Sequence, residues 1–200
     1  MAQAAVPPPP PIPVAASAPP RSGASAARVL IPLAIGALVA LSLGIYGRVH
    51  DPTGRSLVTL FFTDTITLKA WLATAAFLLA VGQVLGGMRM YGKLGKSRGP
   101  RWIRTGHRIA GTTAFLLTIP VAYHCLWALG FQSGRGTRIL IHGIAGCFFF
   151  GALTAKVIIV RTHRMPRWAL PTMGGVVFSV LTILWLTSAL WYFQNVGFKV

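Results

Sequence analysis

The chain has 200 residues, of which 54% are hydrophobic and only 10% are charged. A soluble domain carries roughly 25% charged residues, so this composition excludes an ordinary water-soluble enzyme and indicates an integral membrane protein. The formal net charge of +17 comes from 19 Lys and Arg residues against two carboxylates. Because the basic residues flank apolar segments, where they set orientation and contact anionic lipid, we do not expect nucleic-acid binding.

Residues 1–27 form a low-complexity stretch rich in proline and alanine, including the run Pro7–Pro11. Such a stretch favours extended polyproline II conformation and cannot build a core. It lacks the basic segment that opens a secretory signal, whereas Arg21 and Arg28 directly precede the first apolar segment. We therefore predict a disordered cytoplasmic tail ahead of an uncleaved first span. A ligand for a proline-binding partner is the alternative.

Five apolar segments follow within a predicted membrane domain over 28–200. Each is close to the ~20 residues that cross a hydrocarbon core. Only helices satisfy their own backbone polar groups inside lipid without pairing to another segment. The predicted fold class is therefore all-α integral membrane, a bundle of five transmembrane helices, at approximately 29–46, 68–88, 109–130, 139–160 and 172–193.

The basic residues are divided unevenly between the two sides of this bundle. Thirteen basic residues lie on one side, which includes the chain before the first span and the second and fourth connections. Five basic residues lie on the other side, and Lys69 lies at the end of the second span. The positive-inside rule predicts a cytoplasmic N-terminus and an extracytoplasmic C-terminus in a plasma membrane. The larger set is Arg21, Arg28, Arg89, Lys93, Lys96, Arg98, Arg101, Arg104, Arg108, Lys156, Arg161, Arg164 and Arg167; the smaller is Arg48, Arg55, Arg135, Arg138 and Lys199.

The third and fourth apolar segments each carry a histidine near both ends. A short polar loop over 131–137 makes the two segments antiparallel, so His124 lies level with His142 near one face and His107 level with His163 near the other. Ionisable residues inside a membrane are rare and usually functional. Two axial histidines on a haem iron give an electron carrier with no open coordination site, so haem b is the predicted cofactor, with one or two copies.

The two histidine pairs do not have equal support. His124 and His142 agree in depth and are the predicted ligands of an outer haem iron. His107 and His163 form the second predicted pair, around an inner haem, but both lie in interfacial sequence beside arginines, where contact with lipid headgroups is the alternative. The side chains of His107 and His124 also point ~100° apart on an ideal helix.

Two further residue types bear on this site. His50 lies just outside the first span, in the turn sequence His-Asp-Pro-Thr-Gly. It either belongs to the turn or contacts the outer site, as a ligand or as a donor to a haem propionate or a quinone.

Cys125 and Cys147 are not part of a Cys-x-x-Cys-His sequence, which excludes covalent c-type haem. Their different depths favour two free thiols.

Small residues recur at four-residue spacing in the first, second and fourth spans. This spacing lets helices approach closely, and on the fourth span it also leaves room for a flat cofactor beside His142. The residues are Gly36, Ala40 and Gly44; Gly82 and Gly86; and Gly143, Cys147 and Gly151.

The stretch from His107 to Leu129 reads His-Arg-x-x-Gly, then Ala-Phe-Leu-Leu and a second histidine. It resembles the haem-bearing helices of ferric reductase-like and cytochrome b561-like membrane proteins. The resemblance extends to His163 and implies two b haems that pass electrons across the bilayer, the outer one on His124 and His142. The histidine spacing is longer than in ferric reductases, and the flavin and nicotinamide domains have no counterpart, so a self-contained reductase is not expected.

Over its whole length the chain resembles an uncharacterised family of small actinobacterial membrane proteins. The segments that carry this resemblance include Val-His-Asp-Pro-Thr-Gly, Leu-Lys-Ala-Trp-Leu-Ala-Thr and Tyr-His-Cys-Leu-Trp-Ala-Leu-Gly-Phe. The family has no established activity. The resemblance implies the plasma membrane of a high-GC Gram-positive bacterium.

The predicted function is electron transfer through one or two bis-histidine haems, with a quinone, a Rieske-type protein or a cytochrome as redox partner and the lipid bilayer as surroundings. At most the chain is the relay component of an oxidoreductase system. Two alternatives stay open. One is a cofactor-free structural or assembly subunit of a membrane complex. The other is a transporter or metal-ion handler that uses His50, His124 and His142.

Overall fold

The computed structural model describes residues 22–55, 58–95 and 99–199. Within these ranges the regular structure is entirely helical, and five helices are long and apolar enough to cross a membrane. This confirms the predicted all-α integral membrane fold. Most of the predicted disordered tail lies outside the described residues.

The helices begin and end outside the predicted apolar segments at nearly every boundary. Two of them change to π-helical geometry near their C-terminal ends, one directly after α3 and one directly after α5. A 3-10 turn precedes α4. The elements are α1 Ser22–Val49, α2 Thr65–Met90, α3 Arg101–Tyr123 with its π segment His124–Leu129, the 3-10 turn Ser133–Arg135, α4 Thr137–Arg161, α5 Ala169–Trp185 with its π segment Leu186–Leu190, and α6 Trp191–Asn195.

The extra length has a physical cause. Hydropathy marks the part of a helix that lies in hydrocarbon, whereas the backbone hydrogen-bond ladder continues into the interface. α3 begins at Arg101, eight residues before the predicted start, and its first turns are basic and polar. α1 begins at Ser22, so the helix includes residues 22–27 that were assigned to the tail; this segment is rich in alanine, which has the highest helix propensity.

The five long helices form a ring in the order α1, α4, α5, α2, α3, in which α3 returns to α1 through its π segment. Neighbours in the ring are antiparallel, except that α3 and α1 run in the same direction. α3 and α4 are consecutive in sequence but are not among the extensively packed pairs. One end of the ring, hereafter the basic end, is formed by the start of α1 and the α2–α3 and α4–α5 connections.

The α1–α4 contact is the closest helix approach. A Cβ atom built on Gly36 would lie 2.5 Å from the carbonyl oxygen of Gly151, and the reverse substitution meets Gly36 in the same way. Further along the same interface, Gly44 faces Cys147. These contacts bear out close packing for the small residues of α1 and α4, whereas Gly82 on α2 faces open space.

We expect Gly36→Ala to lower the free energy of unfolding by roughly 1–3 kcal/mol, because the added methyl group forces two backbones apart. Thermal unfolding in detergent, followed by circular dichroism, measures this. Gly82→Ala is the matched control, since no atom lies within 4 Å of its Cβ position. An unchanged melting temperature for Gly36→Ala would contradict the packing argument.

The start of α2 is held by a carboxylate cap whose hydrogen bonds continue to Tyr192 of α6. Asp64 Oδ1 accepts from the backbone N–H groups of Ile66 and Thr67, at 2.7 and 2.8 Å, and Oδ2 accepts from the Thr67 hydroxyl at 2.8 Å. Because that hydroxyl donates to the carboxylate, the Tyr192 hydroxyl donates to Thr67, at 2.5 Å. The backbone N–H of Thr67 is the largest cause that holds the pKa of Asp64 below its ordinary value.

Asp64→Ala should lower the free energy of unfolding at pH 7 by about 1 kcal/mol, the usual cost of a lost N-cap. The lowered pKa means that the ionised cap stabilises the folded state above about pH 4 and that this stabilisation is lost as the carboxylate is protonated. The difference between wild type and variant should therefore shrink below that pH. Unfolding curves from pH 7 to pH 3 test this, with Asp51→Ala as the control; equal effects of the two substitutions would contradict it.

Candidate functional site

The ring encloses a cavity of about 170 Å³ that all five long helices line. This is more than ten times the ~10–15 Å³ that a single water molecule needs. Its wall is mainly apolar, and Gly143, Gly146 and Cys147 form the α4 side. Across the space from them lies the α3 segment that includes Thr118 and Cys125. The cavity therefore occupies the gap between the two helices that carry the predicted haem ligands.

His142 lies in the second turn of α4 and lines this cavity. Its Nδ1 is 3.0 Å from Thr187 Oγ1. The hydroxyl hydrogen of Thr187 points to the carbonyl oxygens of Ile183 and Leu184, at 2.7 and 3.2 Å, so the Thr187 oxygen accepts. This hydrogen-bond network assigns the N–H to Nδ1. In the neutral imidazole the lone pair is then on Nε2.

Thr187 belongs to the π segment of α5, and a second α4 side chain reaches the same residue. Arg138, one turn before His142, donates from Nη1 to the Thr187 carbonyl oxygen at 2.5 Å. Its guanidinium carbon also lies 4.0 Å from the centre of the Trp191 ring. π segments are often found at functional sites. By hydropathy Arg138 lies in the connection before the fourth span, and no sequence pattern signals the π segment.

His124 is buried, with 2% of its surface exposed, and begins the π segment that follows α3. Its Nδ1 lies 2.8 Å from the carbonyl oxygen of Pro120. A carbonyl oxygen only accepts, so Nδ1 donates and the lone pair again resides on Nε2. Histidines that bind metals usually donate their other ring N–H to an oxygen in this way. Both histidines of the predicted outer pair therefore have the donor chemistry of a haem ligand.

The structure places the outer pair around one cavity but in different positions. The His142 ring is part of the wall. His124 adjoins the lining residue Cys125 and lies beside the wall, held against Pro120. The space between α3 and α4 is wide enough that these helices do not pack extensively on each other.

Within the described residues, no hydrogen bond or ring contact joins the two histidines of the inner pair. His107 is half-buried against α2, where a Cβ on Gly86 would lie 3.3 Å from its Nδ1. The main-chain oxygen of His107 accepts from Gln83 Nε2 at 2.7 Å. His163 is exposed on the turn after α4. α3 packs mainly on α2, while α4 packs between α1 and α5.

His50 lies at the end of α1 within a row of aromatic rings. Its ring stacks on Tyr46 with centroids 4.9 Å apart and lies 5.0 Å from Trp127. Trp127 in turn stacks on Tyr123 at 5.9 Å, and Tyr123 meets the edge of the His124 ring at 5.6 Å. Within the described residues, the buried Nε2 of His50 has no hydrogen-bond partner.

The turn that follows His50 docks on the π segment of α3. Backbone N–H groups of Thr53 and Gly54 donate to the carbonyl oxygens of Trp127 and Ala128, at 3.3 and 3.1 Å. Gly54 has φ +64°, a conformation that favours glycine. The turn therefore uses carbonyl groups of the π segment to close the ring between α1 and α3.

Both cysteines are free thiols, as expected from their different depths. Among the side chains of the described ranges, no group of three or more His, Cys, Asp or Glu residues is arranged to hold a metal ion.

A family model matches residues 29–200, which include the apolar part of α1 and all later helices. The chain belongs to DUF6529, a family of unknown function. No curated protein and no solved structure matches it.

In this DUF6529 chain we expect Thr187→Val to lower the free energy of unfolding by about 1–3 kcal/mol, because the Nδ1–H of His142 loses its acceptor inside the bundle. Thr187→Ser should retain most of the stability. Thr154→Val is the control, since the Thr154 hydroxyl bonds only to the Phe150 carbonyl of its own helix, at 2.8 Å. Thermal unfolding of the three variants provides the measurement, and equal losses for Thr187→Val and Thr154→Val would contradict the role assigned to Thr187.

Proposed function

We propose that this protein binds a b-type haem in the cavity between α3 and α4 and relays electrons within the membrane. The observation that carries the proposal is a histidine in the cavity wall, His142, and a second beside the wall, His124, which donate their Nδ1–H groups to Thr187 and Pro120 respectively. When bound, a haem iron supplies reversible one-electron transfer. The resemblance of this stretch to ferric reductase-like and cytochrome b561-like helices supports the same chemistry.

The chain's own residues have separate roles in this proposal. His142 and His124 would hold the haem iron, and their Nδ1 acceptors fix the tautomer and the ring orientation. Gly143 lies against the Phe131 ring and Gly146 lies near Leu184, and neither glycine adds a side chain of its own to the α4 wall. Arg138, one turn from His142, supplies a cation of the kind that pairs with carboxylates such as haem propionates. The apolar lining excludes water, which tunes the reduction potential.

We also propose that the protein lies in an actinobacterial plasma membrane with its basic end in the cytoplasm and its C-terminus outside. A redox partner binds at the end opposite the basic end. The charge distribution supports the orientation. The position of the partner is supported by the aromatic row from Tyr46 through His50 and Trp127, which leads from that end towards His124. A quinone, a Rieske-type protein and a cytochrome are the candidate partners.

A dithionite-reduced minus oxidised visible spectrum of the purified protein, with pyridine-haemochrome quantitation, tests the proposal directly. We expect a sharp α-band of the b type at about one haem per chain. A flat spectrum from protein made in haem-sufficient cells would remove the haem proposal and favour a cofactor-free subunit of a membrane complex.

His124→Ala and His142→Ala should each abolish the same spectral component, because a bis-histidine site needs both axial ligands. His163→Ala is the matched control: its ring is exposed on a turn far from the cavity, so the haem content should not change. Full haem content in either of the first two variants, confirmed to be folded by circular dichroism, would rule out the assignment of the ligands.

A further inference from the structure

Two titratable side chains in the half of the bundle nearer the basic end take no part in the proposed haem site. His107 is on α3 and Lys156 is on α4, and both are partly buried. By helical rise, each lies roughly 8–9 Å from the end of its helix at the basic end. The two side chains therefore start from a similar depth in the bundle.

Both residues lie on helix faces that are directed into the bundle. On α3, His107 precedes Gly111 by about one turn and Thr118 by about three turns; Gly111 faces α2, and Thr118 lines the cavity. On α4, Lys156 follows the core residue Ala152 by about one turn. The Lys156 ammonium lies close enough for its charge to act on the His107 imidazole. α3 and α4 thus each place a polar group at the inner half of the gap between them.

Neither polar group has a hydrogen-bond partner within the described residues. His107 Nδ1 is a buried atom without a partner, a state that among the described side chains it shares only with His50 Nε2. The Lys156 ammonium makes no hydrogen bond or ion pair there. The carboxylates of the sequence, Asp51 and Asp64, lie between α1 and α2, at the opposite end of the bundle. Because partly buried polar groups without partners are unfavourable, the pair requires an acceptor from outside the chain.

The gap beside this pair is open to the lipid phase. α3 packs on α2 and is not among the helices that pack extensively on α4. Val157 and Val160, which follow Lys156 on α4, are 43% and 58% exposed. A ligand dissolved in the membrane can therefore reach His107 and Lys156 sideways, along an apolar surface.

We propose that His107 and Lys156 bind the headgroup of a membrane quinone through one of its ring oxygens. Lys156 only donates, and that oxygen accepts both as a carbonyl and as a hydroxyl. A neutral imidazole nitrogen either donates or accepts, so His107 Nδ1 donates to the carbonyl of the quinone and accepts from the hydroxyl of the quinol. A water-soluble anion fits less well, because the gap opens along apolar side chains.

This site lies towards the basic end, away from the partner proposed at the other end. The choice of a redox-active ligand rests on the proposed function, since a relay needs one partner that gives electrons and one that takes them. The two unpartnered groups themselves do not depend on a bound haem.

Isothermal titration calorimetry of the detergent-purified full chain with ubiquinone-1, a short-chain quinone, tests the proposal. We expect saturable binding to the wild type. Lys156→Met should weaken it by about tenfold, or about 1.4 kcal/mol, because a charge-assisted hydrogen bond is lost. Lys93→Met removes the same charge from an exposed position at the same end of the bundle and should leave the affinity unchanged.

His107→Phe keeps an aromatic ring, removes Nδ1 and should also weaken binding, which keeps the test valid if Lys156→Met does not fold. No saturable binding by the wild type, or equal affinities for the wild type and both folded variants, would overturn the proposal. Loss of binding in His142→Ala with full binding in Lys156→Met would place the quinone in the cavity, which also overturns it. Displacement of the quinone by millimolar acetate would assign the pair to a soluble anion instead. Quinone binding that depends on Lys156 in a protein with a flat haem spectrum would support this site while it removes the haem proposal.

Discussion

The close approach of α1 to α4 at Gly36 and Gly151 is the contact on which the arrangement of the bundle depends. It fixes one side of α4 to α1, and the apolar cluster around Ala152 and Ile159 fixes α4 to α5. Gly143, Gly146 and Cys147 of α4 are left to line the interior. Since α3 packs on α2 instead of α4, the interior stays open as a cavity between the two helices.

The two π segments determine what reaches this cavity. The segment after α5 presents Thr187 to both Arg138 and His142, so one residue positions two α4 side chains. The segment after α3 begins with His124 and offers carbonyl groups to the turn that follows His50. The same departures from α-helical geometry thus orient the histidines and close the ring, which links the fold to the proposed haem site.

Acidic and basic side chains lie at different ends of the bundle. Both carboxylates lie at the end opposite the basic end, where Asp64 caps α2. The basic end has no acidic side chain, and its cations depend on the membrane surface for neutralisation. The orientation proposed above rests on this asymmetry.

The sequence by itself determined the number and type of the helices, because ~20 apolar residues in lipid have to form a helix, and it singled out His124 and His142 as polar groups at matched depth. It also predicted two free cysteines and close packing at Gly36. Only the tertiary structure decided the ring order, which packs α3 on α2 and α4 between α1 and α5, and the π segments, which give His142 its partner Thr187. Hydropathy and spacing describe one helix at a time, whereas these features depend on which helices become neighbours and on how their backbones adapt to one another.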